Sequence, residues 1–178
     1  MATTKHTIVA LVQDRPGVLN RMASLFRRRG FNIESIAVGH SEVPHLSRMT
    51  IVVNGSSAMV EQVRKQVDKI VDVVRVVDIT GDTTTVRELA LIKVRATSAT
   101  RSEIIEIADI FRANIVDVAA DSLTIEITGD EDKINSMLRL LRGFGIREIA
   151  RTGRIAMVRG GAGSVAVEEK VSKKTGRK

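Results

Sequence analysis

The feature that most constrains the fold of this chain is an internal repeat. The segment TIVVNG at 50–55 reappears as TIEITG at 124–129, and Asn32-Ile33 reappears as Asn114-Ile115. Self-similarity of this kind indicates two copies of one supersecondary module. Each copy has ~75 residues, and a module of that size buries only about 60% of its unfolded surface. We therefore expect the modules or their sheets to pair.

The first half alternates between the two periodicities that define strands and helices. Its first predicted helix places one stripe of residues at spacings of three and four, formed by Val18, Met22, Leu25, Phe26 and Arg29. The β-branched runs around the polar connection HSEVPH predict an antiparallel hairpin. The predicted elements are, in order, strand 6–12, helix 14–30, strands 31–38 and 46–53, a helix capped by Ser56 or Ser57, and strand 73–79.

The second half repeats this order. A strand is predicted at 88–96, and Thr100 with Glu103 three residues later matches a capping box at the start of a helix. A second helix carries Ile134, Met137, Leu138 and Leu141, and one last strand is predicted around 146–158. Each half thus reads βαββαβ, which is the ferredoxin-like arrangement. The predicted fold class is α+β, with two such modules in tandem.

The domain boundaries follow from changes in composition. We predict a first module at 4–80, a linker GDTTTVR at 81–87, a second module at 88–159 and a tail at 160–178. The tail opens with a Gly-rich hinge and carries five of the 28 Lys and Arg residues. It cannot bury much apolar surface, so we expect it to be basic and disordered.

Composition excludes several classes of function. No apolar run approaches the ~20 residues of a membrane span, and the N-terminus lacks the cleavage site of a signal peptide. We therefore expect a cytoplasmic protein without a membrane contact. With no cysteine, the chain has no disulfides, thiolate zinc site or cysteine nucleophile. His40, Glu42 and His45 lie in a polar loop that we expect to bind no metal.

The net charge of +7 raises the question of nucleic acid. RNA-binding modules of this topology stack bases on aromatic side chains of the sheet. This chain has four Phe and no Trp or Tyr, and Phe26 and Phe111 fall on helix stripes. We therefore expect no nucleic-acid partner. We also recognise no residues typical of a catalytic site, such as a Ser-His-Asp set or a phosphate-binding loop.

The turn at Pro16-Gly17 is the best candidate for a binding site. It precedes the N-terminus of the first helix, whose unpaired N–H groups and positive dipole end favour an anion such as a carboxylate. Gly17 has no Cβ, so a ligand can approach the backbone. If the start of the next strand lies nearby, Asn32 offers a donor and an acceptor to an amino-acid head group, and Leu19 and Ile33 can line an apolar pocket. The alternative is that Pro16-Gly17 is only a turn and Asn32 only a residue tolerated after Gly30.

These segments also resemble a known family. PGVL, RRGFNIES, LSRMT and KIVDVVRV, within a similarity that spans about Lys5 to Val158, resemble the small regulatory subunits of acetohydroxyacid synthase, also called acetolactate synthase. The resemblance implies that the first module is an ACT domain, which forms a homodimer and binds a branched-chain amino acid at the interface. It implies a partner, the catalytic large subunit, which carries the cofactors thiamine diphosphate, magnesium and FAD. The small subunit itself would carry no cofactor and no catalytic residue.

The resemblance also implies a set of effector-binding residues. Carried over position by position, they are Asp14, Gly17, Asn20, Asn32, Ile33, Gly39 and Gln62. The family often has Asn where this chain has Asp14, and a carboxylate there would repel a bound carboxylate unless it faces the ammonium group or caps the helix. The second module has ATSATRSE in place of a Pro-Gly turn, and we expect it to serve in dimerisation or in docking to the large subunit.

We therefore interpret the chain as a non-catalytic subunit that activates acetolactate synthase and confers feedback inhibition by a branched-chain amino acid. Valine is the first candidate, but valine and leucine differ by one methylene, worth only ~0.8 kcal/mol of burial. The alternative is a free-standing ACT-type sensor that regulates a different partner.

Overall fold

The computed structural model describes residues 4–160. Apart from Gly160, the predicted basic tail at 160–178 lies outside the described residues. The chain divides into two compact units. Of the described residues, 4–85 and 156–160 form the N-terminal unit, and the central unit is Val86–Ile155.

The N-terminal unit contains a four-stranded antiparallel sheet and two helices. Its elements are β1 (Thr4–Gln13), α1 (Val18–Arg28), β2 (Ile33–His40), β3 (Leu46–Gly55), α2 (Ser57–Val67) and β4 (Val73–Asp78). The strands lie in the order β2-β3-β1-β4, so β2 and β4 are the edges. Ile8 is opposite Ile51 in the β1–β3 ladder, and Ala10 is opposite Met49.

Both helices cover the same face of this sheet. The buried side chains of α1 are Val18, Met22, Leu25 and Phe26, the four apolar residues of the predicted stripe. Arg29, the fifth predicted residue, follows the last residue of α1 and is exposed. They pack with Val60, Val63 and Val67 of α2 against alternate residues of β1 and β3. The Ser56 side chain caps α2 by accepting a hydrogen bond from the backbone N–H of Met59.

The central unit repeats the same order of elements. They are β5 (Thr84–Arg95, which begins just before the unit), α3 (Arg101–Ile110), β6 (Asn114–Val118), β7 (Ser122–Gly129), α4 (Glu131–Leu141), a 3-10 turn at Arg142–Phe144 and β8 (Ile146–Arg151). A further strand, β9 (Ile155–Val158), has only its first residue in this unit. The sheet order is β6-β7-β5-β8, and β9 also pairs with β5. A second core forms here around Ile92, Ile104, Ile125, Ile134 and Met137. The prediction of two ferredoxin-like modules in tandem is confirmed.

Two local predictions for the second half were wrong. The last strand is interrupted at Thr152–Arg154, where Gly153 has a φ of 81°, so that β8 and β9 are separate strands. The Thr100–Glu103 capping box does not form, because Thr100 has helical φ and ψ and its side chain makes no cap hydrogen bond. The Thr100 hydroxyl instead accepts from the backbone N–H of Thr97 at 3.0 Å.

No helix within residues 4–160 has the length and apolar character needed to cross a membrane.

Candidate functional site

The turn between β1 and α1 is fixed by hydrogen bonds to two other loops. The backbone N–H of Gln13 donates to the carbonyl of Asp72 at 2.8 Å, and the N–H of Asp14 donates to the carbonyl of His45 at 2.9 Å. Pro16 and Gly17 follow at the surface. The loops before β3 and β4 therefore hold the position of the α1 N-terminus.

Gly17 is the N-terminal cap of α1. Its φ of 87° lies in the left-handed region, which favours glycine because it has no Cβ. Within the described residues, no side chain caps this end of α1, and the first turn holds no acidic residue. The positive end of the helix dipole is thus not balanced by a carboxylate of its own helix, which favours an external anion.

Arg21, one turn into α1, lies beside Gly17. A Cβ on Gly17 would be 3.7 Å from Arg21 Nη1, so the guanidinium borders the space that the missing side chain leaves open. Arg21 Nη2 is 2.7 Å from Oδ2 of Asp72, whose side chain is only 7% exposed. Arg21 and Asp72 are the residues that the sequence analysis missed. Asp72 is the one acidic residue in the largely apolar segment KIVDVVRV, and that contrast was the available signal.

Asp14 and Gly39 lie at the same end of the sheet as this turn. Oδ2 of Asp14 is 3.4 Å from Nδ1 of His40, the last residue of β2, and both side chains are well exposed. Gly39 precedes His40 and is opposite Arg48 in the β2–β3 ladder. The carboxyl end of β2 is therefore next to the β1–α1 turn.

Arg48 is held in a partly desolvated position. Its Nη2 donates to the carbonyl of Ala156 at 2.9 Å. Burial lowers the pKa of Arg48 below its usual value, and the nearby charge of Glu42 acts in the opposite direction. Arg48 is thus tied to the backbone of β9 and is not simply solvated.

Two of the predicted effector residues lie on helices. Asn20 is exposed in the first turn of α1, close to Gly17 in sequence. Gln62 is exposed on α2.

Asn32 and Ile33 lie at the opposite end of the sheet. Ile33 is opposite Val53, which is itself opposite His6 near the start of β1. β1 and β2 run in the same direction, since both are antiparallel to β3. His40, at the end of β2, is therefore near the β1–α1 turn. Ile33, at the start of β2, is about 23 Å from His40 at a rise of 3.3 Å per residue. Within one chain, the structure does not bring Asn32 and Ile33 together with Asp14 and Gly17.

Within residues 4–160, no cluster of three or more His, Asp or Glu side chains is arranged so that it could hold a metal ion. On the open face of the central sheet, a shallow depression is lined by Leu91, Lys93, Thr124, Glu148 and Ala150.

Two ferredoxin-like modules in tandem, the first with a glycine-capped helix N-terminus open to an anion, define this chain as an ACT-domain protein. Residues 8–75 match the family described as "AHAS small subunit-like ACT domain". Residues 87–160 match the family described as "Small subunit of acetolactate synthase".

Similar proteins of known family support both of these family matches. The chain is 56% identical over 156 residues to a probable acetolactate synthase small subunit of Archaeoglobus fulgidus, covering 88% of this chain and 98% of the relative. It is 49% identical over 163 residues to the acetolactate synthase small subunit of Mycobacterium bovis, covering 92% and 97%. The crystal structure of the acetolactate synthase small subunit from Thermotoga maritima superposes with a TM-score of 0.82 at 43% identity, covering 89% of this chain and 99% of that one. The chain belongs to the acetolactate synthase small-subunit family.

Proposed function

We propose that this chain is the regulatory subunit of an acetolactate synthase. In this proposal it binds the catalytic large subunit, raises its activity and confers feedback inhibition by a branched-chain amino acid, with valine as the first candidate. The large subunit carries thiamine diphosphate, magnesium and FAD, and this chain contributes no catalytic group. The observation that carries the proposal is the identity of 56% along 88% of this chain to a relative described as a probable acetolactate synthase small subunit.

The proposed effector site is the β1–α1 turn. An α-amino acid presents a carboxylate, which the N-terminus of α1 favours. Gly17 leaves room for its approach, and Leu19 is 51% exposed beside the turn, where it can contact an apolar side chain. The carboxylate of Asp14 lies beside His40, which neutralises it in part when protonated.

A second copy of the chain would complete this site. β2 is an edge strand of the N-terminal sheet, and an edge strand can pair with another strand. In a symmetric dimer with antiparallel β2 strands, the Ile33 end of one copy lies opposite the His40 end of the other. Asp14, Gly17 and Gly39 of one copy would then face Asn32 and Ile33 of the second. This arrangement reconciles the predicted residue set with the separation of about 23 Å found within one chain.

Reconstitution tests the proposal. The purified chain is mixed with a catalytic large subunit, and acetolactate formation is measured with and without valine, leucine and isoleucine. We expect the chain to raise the rate and to make it sensitive to at least one of the three amino acids. If the chain binds valine but leaves acetolactate formation unchanged, the alternative of an ACT-type sensor for a different partner is supported instead.

A further inference from the structure

The residue pair Arg21 and Asp72 connects the open end of α1 to a buried charge. Arg21 is half-exposed, whereas Asp72 is almost fully buried. Their closest atoms, Nη2 and Oδ2, are at an ion-pair distance of 2.7 Å. Within residues 4–160, Oδ2 of Asp72 nevertheless has no donor at hydrogen-bond geometry, so the contact with Arg21 is an ion pair without a well-aligned hydrogen bond.

A buried carboxylate with a poorly aligned partner is a costly arrangement. A charged group removed from water is stabilised only when its hydrogen bonds are well made. A purely structural ion pair in this position would be expected to use the two parallel N–H groups that a guanidinium can offer a carboxylate. The central unit contains such a pair, Arg151 and Glu88, with both bonds at 2.6–2.7 Å.

The orientation of Arg21 indicates what its remaining donors are for. Nη2 is directed to Asp72, and Nη1 is the atom nearest to the Cβ position of Gly17. The guanidinium thus spans from the buried carboxylate to the space in front of the α1 N-terminus. Its exposed donors and the positive end of the helix dipole favour an anion at the same place.

We propose that Arg21 binds the carboxylate of the amino-acid effector and that Asp72 is the positioning residue that holds the guanidinium beside Gly17. This assignment rests on the proposed function and names the chemical group that the site recognises. It predicts a site that selects free amino acids over their uncharged derivatives, because a guanidinium forms its strongest contacts with a planar anion.

Calorimetric titration of the full-length chain tests this assignment, and it suits a chain without Trp or Tyr. The two probes are L-valine and L-valinamide, which keeps the side chain and the ammonium group but has no carboxylate. The variants are Arg21→Met and, as a matched control, Arg28→Met in the last turn of the same helix. Thermal unfolding of each variant checks that it is folded.

We expect the parent chain to prefer valine over valinamide by about tenfold or more, the contribution of a charge-assisted hydrogen bond. Arg21→Met should weaken valine binding by about ten- to a hundredfold and leave valinamide binding within about threefold. Arg28→Met should retain the preference of the parent. A loss of the same size for both probes would make Arg21 a structural residue, and an unchanged valine affinity would place the carboxylate elsewhere. Either result overturns the assignment while leaving the proposed function in place.

Two further results complete the test. If the parent binds neither valine, leucine nor isoleucine, the proposed function fails together with this assignment. If Arg21→Met does not fold, the Nε–H resonance of Arg21 in the ¹⁵N-labelled parent provides the same comparison. It should shift on saturation with valine and not with valinamide, and the absence of a valine-specific shift would overturn the assignment.

Discussion

The guanidinium of Arg151 in β8 holds the carboxylate of Glu88 in β5 through two parallel hydrogen bonds, from Nε to Oε1 at 2.7 Å and from Nη2 to Oε2 at 2.6 Å. Glu88 is buried, with a side chain that is 8% exposed, and Arg151 is partly exposed. The hydrogen bonds that Arg151 donates to Glu88 raise the pKa of Arg151 above its usual value. The pair joins residues 63 positions apart in the chain.

Breaking this pair should destabilise the central unit. Arg151→Met leaves the Glu88 carboxylate buried without its partner, and we expect a loss of about 1 to 3 kcal/mol in the free energy of unfolding. The double variant Glu88→Leu with Arg151→Met removes both charges and should recover part of that loss. Urea unfolding followed by circular dichroism measures both. Equal losses in the single and the double variant would show that the pair contributes nothing specific.

Gly17 variants test the β1–α1 turn as the effector site. Gly17→Asp places a carboxylate at the α1 N-terminus, where it competes with the ligand by charge and by bulk, so valine inhibition of the reconstituted enzyme should be lost. Gly17→Ala is the matched control. Its Cβ makes only ordinary contact with Arg21 at 3.7 Å, although the left-handed backbone costs about 1 kcal/mol or more. We expect Gly17→Ala to stay sensitive to valine, and activation of the large subunit to survive in both. If Gly17→Asp is as sensitive as the parent, the turn is not the sensor.

Mixed dimers test whether each site uses two chains. Asn32→Ala should weaken valine binding by about ten- to a hundredfold because ligand polar atoms lose a partner. When Gly17→Asp and Asn32→Ala chains are unfolded, mixed equally and refolded together, half of the dimers should be mixed, each with one intact site. About a quarter of all sites should then bind valine with parent affinity. Calorimetry counts these sites. No recovery after mixing would place Gly17 and Asn32 in separate sites or in a site within one chain.

Arg48 should stabilise the attachment of β9. Arg48→Met removes the hydrogen bond to the Ala156 carbonyl, and we expect a loss of about 1 kcal/mol in the free energy of unfolding. Amide hydrogen exchange should become faster at residues 155–158. The control is Arg29→Met, which changes an exposed arginine after α1. Unchanged exchange in β9 would show that other contacts suffice to hold this strand.

Glu61 on α2 should titrate far below a typical glutamate. Hydrogen bonds from Arg64, and to a lesser degree the charges of Arg64 and Lys65, lower the pKa of Glu61 from 4.5 to about 2. Because the pKa is depressed in the folded state, the stabilisation from this pair is complete above pH 4.5 and is lost as the pH falls toward 2. Carbon-detected NMR of the Glu61 carboxyl should show this midpoint. Arg64→Met should raise the midpoint more than Lys65→Met does, and a parent midpoint near 4.5 would show that Glu61 and Arg64 are not paired in solution.

The sequence determined the elements whose signals are local. The α1 stripe was predicted from spacings of three and four residues, because helical periodicity places those side chains on one face whatever the rest of the chain does. The order βαββαβ and its repetition were predicted for the same reason. A serine cap of α2 was also predicted, since a cap needs only a short polar side chain in an extended conformation before the helix, but the sequence left Ser56 and Ser57 as alternatives and the structure has Ser56.

Local signals fail where a neighbouring residue competes for the same atom. The Thr100–Glu103 pattern is that of a capping box, but the Thr100 hydroxyl is engaged by the backbone N–H of Thr97. Short polar side chains can bond to several nearby backbone groups, and the sequence does not show which one they choose.

Only the tertiary structure decided which distant residues meet. Asp72 is 51 positions from Arg21, and nothing in the local sequence of either one predicts that loop and helix place them 2.7 Å apart. The sequence grouped Asn32 with Gly17, but the direction of β2 in the sheet puts them at opposite ends. Helix stripes and caps depend on the conformation of a few consecutive residues, whereas these relationships depend on strand order, which is set when the whole sheet buries its apolar face.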